Sequence, residues 1–104
     1  MILYHCTPRK KMDSILKKGL IPQIGERSSK LGETEEGVFL FPTYQDCETA
    51  ISQWLGDEFD EDEELVTLEV TLPDDFPLEE TADYERMSRL KIEPQYIRFF
   101  KSEG

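Results

Sequence analysis

A single histidine, His5, ends the apolar run Ile2-Leu3-Tyr4 and stands just ahead of a helix start. Thr7 suits the N-cap and Pro8 the first helical position, where a missing N–H costs nothing. An imidazole can hold or release a proton near neutral pH, and the open N–H groups of a helix N-terminus can hold an anion. Arg9 and Lys10 fall in the first turn of that helix, where the helix dipole disfavours cations by roughly 0.3–1 kcal/mol each. Such a placement has a use if an anionic ligand binds there. The plainer alternative is that Arg9 pairs with Asp13 one turn on, while Lys10 and Lys11 are solvated. His5 likewise is either a binding group or a half-buried histidine satisfied by the backbone.

The elements that would position these residues follow from periodicity. Met12, Ile15 and Leu16 form one apolar stripe, Gly19 stops the helix, and Leu20-Ile21-Pro22 leads away. Gln23 to Glu36 is polar and aperiodic, a loop that contains Arg27. Val38-Phe39-Leu40-Phe41 is apolar on both faces and predicts a central strand covered on both sides. Thr43 and Asp46 resemble a capping box, and Cys47, Ala50, Ile51, Trp54 and Leu55 continue as a helical stripe up to Gly56. Leu65 to Leu72 alternates, with Val66, Leu68, Val70 and Leu72 on one face and Thr67, Glu69 and Thr71 on the other, as a half-buried strand does. Leu78 to Asp83 reads as one helical turn, Tyr84 to Ile92 as a strand, and Gln95 to Phe100 as a last strand. The expected fold is a single α+β domain over residues 1–104, with mostly antiparallel, bent sheet and two main helices at about 8–18 and 43–55.

Charge is segregated along the chain, whose formal net charge is −11. Residues 1–30 hold seven Lys or Arg against Asp13 and Glu26, while residues 31–83 hold eighteen Asp or Glu and no Lys or Arg. A basic side and an acidic side are therefore expected. Overall acidity argues against nucleic acid as a general ligand, because phosphate neutralisation drives that affinity. The densest acidic run, Asp57, Glu58, Asp60, Glu61, Asp62, Glu63 and Glu64, lacks the glycine and ligand spacing of a calcium loop. It is either a solvated loop or a contact for a basic protein partner. Cys6 and Cys47 have no second cysteine or histidine at ligand spacing, so no metal site is expected. The absence of an apolar run of about 18 residues and of an apolar leader after Met1 points to a cytoplasmic protein.

Three short patterns carry a family resemblance. Leu3-Tyr4-His5-Cys6-Thr7 followed by Ile15-Leu16-Lys17-Lys18-Gly19-Leu20-Ile21-Pro22 resembles the opening of ADP-ribosyltransferase-fold domains, the bacterial toxin-type members and the RNA 2′-phosphotransferases among them. Val38 to Ala50 is similar to their second motif, and Glu85 followed by Ile92, Pro94 and Ile97 to their third. The resemblance implies an ADP-ribosyltransferase-like fold that binds NAD and transfers ADP-ribose to a macromolecule. His5 would hydrogen-bond a ribose hydroxyl, Thr7 would shape the nicotinamide side, and Tyr44 would stack on the nicotinamide ring. Arg9 and Arg27 would hold the diphosphate, and Glu85 would orient the attacking group and stabilise positive charge at the sugar. A 2′-phosphotransferase would instead gather Arg9, Arg27, Arg86 and Arg98 at one site. A third reading, from a different class, is a small acidic inhibitor or immunity-type protein acting through its carboxylates.

Overall fold

Strand β1 (Ile2–Pro8) leads directly into helix α1 (Arg9–Lys18). The computed structural model describes residues 1–22, 37–55 and 62–103, apart from the side chains of Trp54 and Leu55. The loop with Arg27, the acids Asp57, Glu58, Asp60 and Glu61, and the side chains of Trp54 and Leu55 in the helical stripe lie outside what the structure describes. The helix start differs by one residue from expectation. Pro8, with φ −60° and ψ 140°, is the cap residue, and no side-chain hydrogen bond caps the helix. Thr7 pairs with Val66 and Pro8 with Leu65, so the β ladder holds both extended. The first helical N–H, of Arg9, is satisfied instead by the Glu64 carbonyl at 2.8 Å. At the other end Gly19 takes φ +90° and donates its N–H to Ile15 at 2.7 Å, and a side chain there would meet the Ile92 carbonyl.

Two antiparallel sheets follow. The first has the order β1, β3 (Leu65–Thr71), β6 (Ile97–Ser102). The second has the order β2 (Val38–Leu40), β5 (Glu85–Ser88), β4 (Glu79–Ala82). Among the described residues a single bridge joins them: Tyr4 and Phe41 exchange N–H···O bonds of 2.9 and 2.8 Å. Helix α2 (Tyr44–Ala50) continues as a π-helical turn over Ile51–Leu55. Its cap is as expected, with Thr43 Oγ1 accepting from the Asp46 N–H at 3.0 Å. The protein is thus α+β, with two main helices and two small antiparallel sheets among the described residues.

Burial corrects three expectations. The strand covered on both faces is β3, where Val66, Thr67, Leu68 and Val70 are fully buried and Glu69 is 7% exposed. Thr67 and Glu69 of its polar face are not solvated, because α2 and the residues Cys6, Phe41, Cys47 and Ala50 pack on that side, and only Thr71 at the strand end is exposed. Strand β2, expected to be central, ends the order of its sheet and leaves Phe39 half-buried. The segment 78–83 is strand β4, not a helical turn, since it pairs with β5 across the two-residue turn Asp83-Tyr84. On the other face of β3 the main core forms from Leu3, Leu20, Val38, Leu40, Val66, Leu68, Val70, Leu72, Ile92 and Ile97. The predicted stripe of α1, Met12, Ile15 and Leu16, packs against it. Each fully buried aliphatic side chain contributes about 1.5–3 kcal/mol.

Antiparallel pairing also undoes the charge segregation. With Pro8 opposite Leu65, residue 9 must lie beside residue 64. Arg9 accordingly reaches Glu64 at 3.5 Å and Lys10 pairs with Glu63. The start of α1 and the end of the acidic run are one mixed surface rather than opposite sides of the molecule. The partner of Arg9 is Glu64 in place of Asp13.

Candidate functional site

His5 sits in β1 one residue beyond the bridge that joins the sheets, opposite Leu68. Its Nδ1 lies 2.8 Å from the Phe39 carbonyl oxygen of β2. A carbonyl only accepts, so in the neutral ring Nδ1 carries the proton and Nε2 is the acceptor nitrogen. The imidazole therefore spans the place where β1 and β2 part, with its tautomer and direction set by the backbone. Thr7, two residues on, is on the same face of β1 and is buried.

Glu85 opens β5 and is 8% exposed. Thr81 Oγ1 donates to its Oε1 at 3.0 Å. The next residue, Arg86, turns its Nη1 back on the hairpin and meets the carbonyls of Ala82, Glu85 and Asp83 at 2.8, 3.0 and 3.3 Å. Phe39 pairs with Met87, and alternation along β5 puts Glu85, Met87 and Phe39 on one face of the second sheet. The route from His5 to Glu85 thus runs through β2: imidazole to Phe39 carbonyl, then across one ladder to β5.

Other expected site residues lie elsewhere. Tyr44 is on the α2 side, packed edge-on to Tyr4 with centroids 6.0 Å apart and tilted against Phe100 at 5.1 Å. Its hydroxyl is 3.0 Å from both Glu103 carboxylate oxygens, and Lys101 Nζ stands 5.2 Å from its ring centre. Burial is the main cause that raises the Tyr44 hydroxyl above its ordinary pKa. Tyr4 and His5 are consecutive in a strand and face opposite ways, so the structure does not bring Tyr44 to His5. The aromatic ring that shares a face with Glu85 is Phe39. Arg9, Arg86 and Arg98 occupy three separate places, on Glu64, on the β4–β5 turn and on Glu69. Of the acidic run, Glu63 and Glu64 already face cations of α1 and Asp62 is exposed.

Both cysteines are free and buried. Burial pushes the Cys47 thiol up to about 12, against a smaller lowering by the Thr67 hydroxyl, which keeps it a neutral core group. No cluster of three His, Cys, Asp or Glu that could hold a metal occurs among the described residues, and none of their helices is long and apolar enough to cross a membrane.

Sequence reasoning missed Phe39 and Thr81, and it offered Arg86 for a phosphate site where the structure turns it onto the carbonyls of the β4–β5 turn. Phe39 acts through its carbonyl, for which no residue type is a signal, and Thr81 depends on a ladder irregularity that alternation cannot show. Comparison of the chain with family profiles, characterised proteins and solved structures finds no match. The ADP-ribosyltransferase resemblance rests on the residues themselves.

Proposed function

We propose that this chain is an NAD-binding domain of the ADP-ribosyltransferase kind that cleaves the bond between nicotinamide and ribose. The observation that carries the reading is His5, whose Nδ1 is tied to the Phe39 carbonyl at 2.8 Å so that Nε2 is the acceptor nitrogen, suited to a ribose hydroxyl. Glu85, one ladder away from Phe39, supplies negative charge for the oxocarbenium-like carbon that develops at C1′. The C1′–N bond breaks with its electron pair on nicotinamide, which leaves neutral. An acceptor oxygen bonds to C1′, and its proton passes to the Glu85 carboxylate and on to solvent. Arg9 and Arg27 are the cations proposed for the diphosphate, and Thr7 lines the His5 face.

Gathering of arginines would favour a 2′-phosphotransferase, and the separation of Arg9, Arg86 and Arg98 does not support it. Thermal unfolding tests the reading directly. NAD at ten times its dissociation constant stabilises by about 1.4 kcal/mol, on the order of 5–10 °C for a domain of this size. His5→Ala is expected to remove that shift. A wild-type melting temperature that millimolar NAD leaves unchanged would count decisively against NAD binding.

A further inference from the structure

We infer that Thr81 is a positioning residue for Glu85, placed by a β-bulge in the β4–β5 hairpin. The inference rests on the NAD reading of Glu85 and extends it to a residue that no sequence signal marked. In the hairpin, Ala82 pairs with Glu85 across the turn, yet the next pairs are Glu80 with Arg86 and Glu79 with Met87. One residue of β4 is therefore extra, and it is Thr81. In an unbroken ladder Thr81 would stand opposite Arg86 and share its face, away from Glu85. The bulge re-aims it, as bulges beside functional groups do, and its hydroxyl reaches Glu85 Oε1 at 3.0 Å.

The same hairpin is clamped by Arg86, whose guanidinium nitrogen bonds three carbonyls within residues 82–85. That clamp fixes the turn and with it the offset between Thr81 and Glu85. The result is a carboxylate whose Oε1 accepts from a hydroxyl that the bulge has placed. Displacement of a reacting group by about 1 Å can cost 10²-fold in rate, so this one hydrogen bond has catalytic leverage. Thr81 is itself exposed, which makes its substitution mild for folding.

The test is steady-state NAD cleavage and NAD affinity for the full chain, with Thr81→Val, Thr81→Ser and Glu85→Gln. Thr81→Val is expected to lower kcat about tenfold or more with KM within about twofold, because it leaves the His5 contact intact. Thr81→Ser keeps the hydroxyl and is expected to recover kcat to within about threefold of wild type. A merely structural threonine would not give this split. Thr81→Val with wild-type kcat, or Thr81→Ser as slow as Thr81→Val, overturns the inference while the NAD reading stands. A wild-type chain that neither binds nor cleaves NAD overturns the reading, and the role of Thr81 with it.

Discussion

Two glutamates are buried among the described residues, one in each sheet, and they are held in opposite ways. Glu69, in β3, is 7% exposed and faces Arg98, with Nε at 2.7 Å and Nη2 at 2.6 Å from its Oε1. Glu85, in β5, is 8% exposed and takes the Thr81 hydroxyl at 3.0 Å inside a clamped turn. A charge-assisted pair both orients and neutralises a carboxylate. A hydroxyl orients without neutralising. Burial alone does not separate a structural carboxylate from one built for chemistry. Glu69 pairs with the Arg98 guanidinium and Glu85 accepts from the Thr81 hydroxyl; on the NAD reading proposed above, Glu69 belongs to the scaffold and Glu85 to the site.

The largest expected effect is on rate. Glu85→Gln should lower NAD cleavage about 10²–10³-fold, while urea unfolding shows a stability change under about 1 kcal/mol. Arg98→Ala inverts the pattern. It leaves Glu69 buried beside no guanidinium, and a loss of about 1–3 kcal/mol is expected in the same unfolding assay, less than for a fully buried pair because Arg98 is itself largely exposed. Cleavage by the folded Arg98→Ala protein should match wild type. Comparable rate losses in both variants would abolish the distinction between the two glutamates.

Smaller effects sharpen it from the Glu69 side. Tyr44→Phe removes the hydroxyl bonded to Glu103 and should cost about 0.5–1.5 kcal/mol with no change in NAD affinity. A marked fall in affinity would return Tyr44 to the ligand. Cys47 packs against Thr67 on this same side, and its thiol is raised from about 9 to about 12. The unfolded chain therefore loses that proton first as pH rises. The Cys47 contribution is complete below pH 9 and is lost as pH climbs towards about 12. Cys47→Ala should flatten the alkaline fall in unfolding free energy over that window.

Much of this architecture was legible from residue spacing. The α1 stripe of Met12, Ile15 and Leu16, the stop at Gly19, and the Thr43 cap with Cys47 and Ala50 each depend on local periodicity, which a sequence displays. What pairing decides was not. His5 was expected at a strand end, whereas the ladder with β3 carries β1 three residues further, to Pro8, and leaves His5 in mid-strand. Alternation in β3 looked like a solvent face because Thr67 and Glu69 are polar, yet α2 covers them and Glu103 and Arg98 satisfy them. Charge segregation was real in the chain and is cancelled where Pro8 meets Leu65. Thr81 was read in a helical turn because a bulge leaves no mark in hydrophobic pattern. Tyr44 was drawn towards His5 by the family pattern, whereas consecutive residues Tyr4 and His5 separate the two faces of β1.

Chemical-shift mapping of the full chain with NAD tests the two-carboxylate distinction most directly. Saturating NAD is expected to move the resonances of His5, Phe39, Glu85 and Met87, and to leave Glu69, Tyr44, Phe100 and Arg98 in place. Shifts confined to the Tyr4, Tyr44 and Phe100 cluster, or no shifts at millimolar NAD, would contradict it.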